Sequence, residues 1–121
     1  MLNADPVLAL LSRALDAAAL RQSVHATNIA NVDTEGYRRL EVVYSAEIQR
    51  LNAEGPALDV DQALEWSKAE PVLVESAEGR VRLDTEMAQM AENAVRYQAL
   101  LGAIERTLGT LRSAARDGKE G

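Results

Sequence analysis

Apolar positions recur with helical spacing at both ends of the chain. Met87, Met90, Ala94, Tyr97, Leu101, Ile104, Leu108, Leu111 and Ala115 follow steps of three and four without a miss. That spacing is a coiled-coil seam, and it predicts one long C-terminal helix ending near Gly118. Asp84 is placed to cap this helix, with Glu86 in its first turn and Arg112 and Arg116 near its C-terminal dipole. At the other end, Asp5 and Pro6 form a helix start, an Asp cap followed by Pro at the first helical position. Leu8, Leu11, Leu15, Ala18, Gln22, His25, Ile29 and Val32 then form a seam in which Gln22 and His25 are polar interruptions. A second stripe, Ala17, Leu20, Val24, Thr27 and Asn31, lies beside it, so this helix has apolar surface for more than one packing partner.

Between the helices the pattern changes. Asn28 to Tyr37 stops the first helix and redirects the chain. Asn and Asp side chains compete for backbone hydrogen bonds, Gly36 permits a positive φ, and Tyr37 supplies an aromatic anchor with one polar end. Residues 38–52 are open to three readings: a short strand, a short helix or an extended arm. Gly55-Pro56 breaks whatever precedes it, and residues 55–77 carry no recognised motif. Val72–Glu75 and Arg80–Leu83 flank a four-residue loop containing Gly79, which predicts a β-hairpin.

Each terminal seam needs a partner, and the simplest partner is the other. The fold expected is mainly α: an antiparallel coiled-coil pair of long N- and C-terminal helices with a small β-hairpin-containing insert. Residues 1–37 and 80–121 form the helical domain, and residues 38–79 the small irregular or β insert. Ala88, Val95, Gly102 and Gly109 recur every seven residues off the main seam. Gly inside a helix costs about 1 kcal/mol relative to Ala. Two on one face call for close approach of another backbone, so this face is expected to meet a neighbouring subunit.

Composition narrows the function. The 121 residues are one domain's worth, with 47% apolar residues, no Phe and 3% aromatics. A core of Leu, Val, Ile, Ala and Met suits helix–helix packing. The net charge of −6 and the lack of a basic cluster argue against nucleic acid. Without cysteine there is no disulfide and no thiolate metal site. No basic region precedes an apolar run at the N-terminus, and no apolar run approaches the ~18 residues of a membrane span, so the chain reads as soluble and without a cleaved secretory signal.

No constellation for catalysis emerges. His25 is the sole histidine and reads as a polar seam residue or an intersubunit hydrogen bond, not a zinc ligand. Asp59/Asp61 and Glu75/Glu78 read as solvated acidic loops, and no nucleophile–base pair or Gly-rich phosphate loop is present. Met87 and Met90 read as helix seam, and Arg38-Arg39 as ion-pairing partners of acidic groups on a neighbour. No catalytic, cofactor or metal residues, and no small-molecule substrate, are expected.

One motif is more specific than this pattern. Asn28, Ala30, Asn31, Thr34, Gly36 and Tyr37, in the order Asn-x-Ala-Asn-x-x-Thr-x-Gly-Tyr, resemble the N-terminal signature of the flagellar axial proteins, the rod, hook and hook-associated subunits. Asp84-x-Glu86-Met87-Ala88, Met90-Ala91-Glu92-Asn93 and Arg96-Tyr97-Gln98 resemble the C-terminal helix of the proximal rod proteins. The short span from Tyr37 to Asp84 leaves no room for the larger insert of distal rod or hook subunits. Glu35 stands where many relatives carry Pro, which leaves the turn less constrained. The resemblance implies a non-enzymatic structural subunit at the base of the flagellar rod, the hollow periplasm-spanning drive shaft that transmits torque and encloses the export channel. It implies export by the flagellar secretion apparatus and, as partners, copies of itself, other proximal rod proteins, the FliE adaptor and the export gate. It also implies an assembly role for the Asn28–Tyr37 motif. A different class also fits the helical pattern: a soluble helical adaptor or secretion chaperone binding a partner helix.

Overall fold

A computed structural model describes residues 6–43 and 70–120. Helix α1 spans Pro6–Ala30, strand β1 Leu40–Val43, strand β2 Val72–Glu75 and helix α2 Leu83–Glu120. The Asp5 cap, residues 44–52, the Gly55-Pro56 break and the Asp59/Asp61 pair lie outside the described residues.

The two helices pack together and run antiparallel. Asn28, near the end of α1, meets Glu86 at the start of α2, while Ala18 and Gln22 meet Asn93 further along it. This is the mainly α helix pair that the terminal seams predict. Among the described residues the buried apolar ones are few and small: Ala17, Ala18 and Val24. Small residues let the helix backbones approach closely, and polar groups occupy the rest of the buried face: Asn28, Glu86 and Asn93.

Helix α2 outlasts its partner. It has 38 residues against 25 in α1. Its residues 111–118 are all exposed, and it runs through Gly118 to Glu120. Asp84 is not its cap. The first helical bond runs from Glu86 N–H to the Arg82 carbonyl, and the Asp84 carboxylate takes the neighbouring Thr85 N–H at 2.8 Å.

The sheet pairs different strands from the expected hairpin. β2 lies antiparallel to β1, in the register Leu40 to Glu75 and Val43 to Val72. Arg80–Leu83 is not a strand. The Ser76–Gly79 turn is present, with Gly79 at φ 73°, but its backbone is tied to β1: Ser76 N–H donates to the Arg39 carbonyl at 2.8 Å and Arg39 N–H to the Gly79 carbonyl at 2.9 Å. With the turn tied to β1 in this way, the chain beyond it passes directly into α2. The alternating apolar pattern of Arg80–Leu83 fits a strand equally well, and only the distant partner Leu40–Val43 decides between the two.

Candidate functional site

The described residues are most densely organised around Glu86. Its side chain is 1% exposed, yet three donors reach its carboxylate. Arg39 Nε donates to Oε1 at 2.7 Å. Asn28 Nδ2 and His25 Nδ1 lie 2.8 and 2.6 Å from Oε2. Burial opposes ionisation of Glu86, but the hydrogen bonds from Arg39, Asn28 and His25 and the Arg39 charge outweigh it. Its pKa falls below the ordinary carboxylate value. Arg39 is fixed in turn: Nη1 donates to Glu41 at 3.3 Å and Nη2 to Gln89 Oε1 at 3.1 Å. Burial alone would lower the Arg39 pKa, and the bonds and charges of Glu86 and Glu41 raise it.

Asn28 joins this carboxylate to the chain reversal. It is fully buried, and every hydrogen-bonding position of its amide is used. Nδ2 donates to the Leu40 carbonyl at 2.9 Å as well as to Glu86, and Oδ1 accepts from Leu40 N–H at 3.0 Å and from the Tyr37 hydroxyl at 2.7 Å. Tyr37 has its own pKa raised, first by burial and then by the nearby Glu86 charge. The rest of the motif builds the turn that brings Leu40 back to Asn28. Asn31 Nδ2 donates to the Thr27 carbonyl at 2.9 Å, and Thr34 Oγ1 donates to Asn31 Oδ1 at 3.0 Å. Tyr37 N–H donates to the Thr34 carbonyl, and Gly36 sits at φ 79° between them. Ala30 is the last residue of α1. The six motif residues are thus brought to one corner, and the bonds described for them are internal to the chain.

A second polar contact lies further along the helix pair. Asn93 Nδ2 donates to the Ala18 carbonyl at 2.7 Å and to Gln22 Oε1 at 2.8 Å. The residues that interrupt the α1 seam, Gln22 and His25, therefore meet the two buried polar residues of α2. That correspondence was the available signal for Glu86 and Asn93, which the apolar period overlooks. Arg38 and Arg39 both pair within the chain, with Glu75 and with Glu86 and Glu41 respectively; an acidic neighbour is not needed to explain them.

The seam residues divide. Leu8, Leu11 and Leu15 on α1, and Met90, Ala94, Tyr97 and Ile104 on α2, are partly buried. Met87 is 55% exposed, Leu101 38%, Leu108 37% and Leu111 41%. The line of α2 that faces α1 is turned by about one residue, because Glu86 and Asn93 occupy the centre. On the off-seam face, Ala88 and Val95 are exposed and Gly102 and Gly109 partly buried. A Cβ on Gly109 would meet nothing within 4 Å, so no described part of this chain closes on that glycine.

This arrangement has the chemistry of a structural lock. Glu86 is saturated with donors, and no group of three or more metal-ligating side chains occurs among the described residues. No described helix is long and apolar enough to cross a membrane.

Comparison with known proteins points the same way. Residues 8–38 match the family model of the flagella basal body rod protein. The chain is 28% identical to the flagellar basal body rod protein FlgB of Escherichia coli (strain K12), over 83% of this chain and 86% of the relative. It is 27% identical to FlgB of Bacillus subtilis (strain 168), over 90% and 92%. A shorter match, 54% identical over 41 residues, covers 34% of this chain and 30% of FlgB of Borrelia hermsii. The family-model match spans most of α1 and the Asn28–Tyr37 corner.

Proposed function

The chain belongs to the FlgB group of flagellar basal body rod proteins, and from that premise we propose that it assembles with its neighbours through the uncovered face of α2. It is a structural rod subunit, not an enzyme. The observation that carries the proposal is the row Met87, Leu101, Leu108 and Leu111, which its own chain leaves 37–55% exposed. Apolar side chains at this spacing form a seam, and a seam left open in the single chain fits coverage by another helix in a polymer. Ala88, Val95, Gly102 and Gly109 form the adjoining face on which small side chains let a second helix come near.

In this reading residues 1–37 and 80–121 are the helical body that packs around the rod channel and carries torque, and residues 38–79 are the small insert between its two halves. The neighbours are copies of the chain, other proximal rod proteins, the FliE adaptor and the export gate, and delivery is by the flagellar secretion apparatus. The Asn28–Tyr37 corner serves assembly by holding the two helices in one fixed relation. The test is Leu108→Asp: isolated basal bodies should lack the variant while its circular dichroism matches wild type. Normal incorporation would remove the α2 face from the interface.

A further inference from the structure

Helix α2 carries a second repeat along an exposed side. Asp84, Ala91, Gln98, Glu105 and Arg112 recur every seven residues, and all of them are exposed. Met87, Leu101 and Leu108 run beside them, 37–55% exposed. Val95, at 68%, is the most exposed large apolar residue among the described ones. Together they make one heptad face, about 42 Å long at 1.5 Å per residue. Asp84 and Arg112 stand at its two ends with opposite charge, and neither makes an ion pair among the described residues.

An occupant of this face has to match its charge, its length and its relief. A second copy of the same face does so in one direction. Parallel and in register, Asp84 meets Asp84, Glu105 meets Glu105 and Arg112 meets Arg112, and like charges brought together repel. A parallel pair staggered to bring Asp84 to Arg112 overlaps only at its ends. Antiparallel, with Gln98 facing Gln98, Asp84 of each copy meets Arg112 of the other, because Gln98 lies midway between them.

The same register sets large side chains on small ones. Met87 falls opposite Gly109, Leu108 opposite Ala88, and Val95 opposite Leu101. A Cβ on Gly109 would meet nothing within 4 Å, so the flexible Met87 side chain has room there. Glu105 falls opposite Ala91, whose short side chain leaves the carboxylate open to water. The two Gln98 amides, each with donors and an acceptor, are matched across the axis. A single polar position of this kind fixes the register of a helix pair.

We infer that two copies of this chain pair antiparallel along α2, with a two-fold axis at Gln98 and an Asp84–Arg112 ion pair at each end. Such a contact uses the same patch on both copies and closes on itself. It covers the face assigned above to polymer assembly, and so holds the paired chain in reserve, outside the rod. That consequence rests on the subunit reading; the pairing itself does not.

Sedimentation equilibrium of the full chain tests the pairing, and a reversible dimer is expected. Arg112→Asp and Asp84→Arg should each raise its dissociation constant roughly tenfold, since two exposed ion pairs become two repulsions. Combining the two substitutions should restore it. A monomer up to the solubility limit, an unchanged constant in the single variants or no restoration in the double variant overturns the inference. Cysteine substitutions read the direction, because the chain has no cysteine of its own. Under mild oxidation by copper–phenanthroline, Gln98→Cys should give a covalent dimer, and Asp84→Cys should do so only when mixed with Arg112→Cys. A covalent dimer from Asp84→Cys alone means a parallel pair and overturns the two-fold axis. Should Asp84→Arg unwind the first turn of α2, seen by circular dichroism, Arg112→Asp and Gln98→Cys decide. Wild-type chain present in basal bodies but monomeric in solution overturns the pairing and leaves the subunit reading intact; a dimer in solution with no chain in basal bodies does the reverse.

Discussion

The Asn28 carboxamide pairs with the Leu40 peptide in both directions, donating to its carbonyl at 2.9 Å and accepting its N–H at 3.0 Å. A side chain on α1 thereby behaves as the neighbouring strand of β1. The same amide touches Glu86, so one residue links helix, strand and second helix.

Removing that link should be severe. Asn28→Ala strands the Leu40 N–H and C=O and takes one donor from Glu86, and buried groups left unpaired cost about 1–3 kcal/mol each. Asn28→Asp should be worse at pH 7, since a second carboxylate would face Glu86 in place of a donor. Urea unfolding should show both variants several kcal/mol less stable, with Asp below Ala.

Stability should fall in acid through Glu86. Its folded pKa is depressed, first against the cost of burial and then by its three donors. Such a group contributes stability above the unfolded value of about 4.3. The contribution is lost as pH drops from there through the folded pKa. Glu86→Gln also takes from the Arg39 charge, on a side chain only 11% exposed, its buried partner at 2.7 Å and leaves it the more exposed Glu41 at 3.3 Å. Breaking such a pair costs about 3–5 kcal/mol. The gap between wild type and Glu86→Gln should be wide at pH 7 and narrow by pH 3, as read from urea midpoints; a gap that stays constant with pH would contradict the assignment.

Much of this was legible in the chain. Unbroken three–four steps gave both helices, because a helix repeats its contacts locally. Gly36 was legible as a turn residue from its lack of a Cβ. The strand partner of Val72–Glu75 was not, since alternation fits Arg80–Leu83 and Leu40–Val43 equally and pairing across the insert leaves no local trace. Nor was the buried centre: Glu86 reads as a first-turn acid, and only its meeting with His25, Asn28 and Arg39 in space makes burial tolerable.

Gly36 gives a backbone test. Its φ is 79° and an added Cβ would meet nothing within 4 Å, so substitution is opposed by the left-handed conformation alone. Gly36→Ala should cost about 1–2 kcal/mol, Gly36→Val more, and Gly36→Asn least, because Asn tolerates this region. Thermal melts rank the three.

Two charge insertions separate the inner packing from the outer face. Ala18 is 1% exposed, so Ala18→Asp buries an unpaired charge and should unfold the helix pair. Leu101 and Leu108 are 38% and 37% exposed, so Leu101→Asp and Leu108→Asp should leave the isolated chain folded and abolish incorporation. Circular dichroism with a motility assay distinguishes the two kinds of failure.

The central claim, that this chain is a subunit of the flagellar basal body rod, is tested most directly by quantitative mass spectrometry of purified basal bodies. The account predicts its peptides in fixed proportion to the other rod proteins, and no rod when the chain is deleted. Basal bodies with full-length rods and none of these peptides would contradict it.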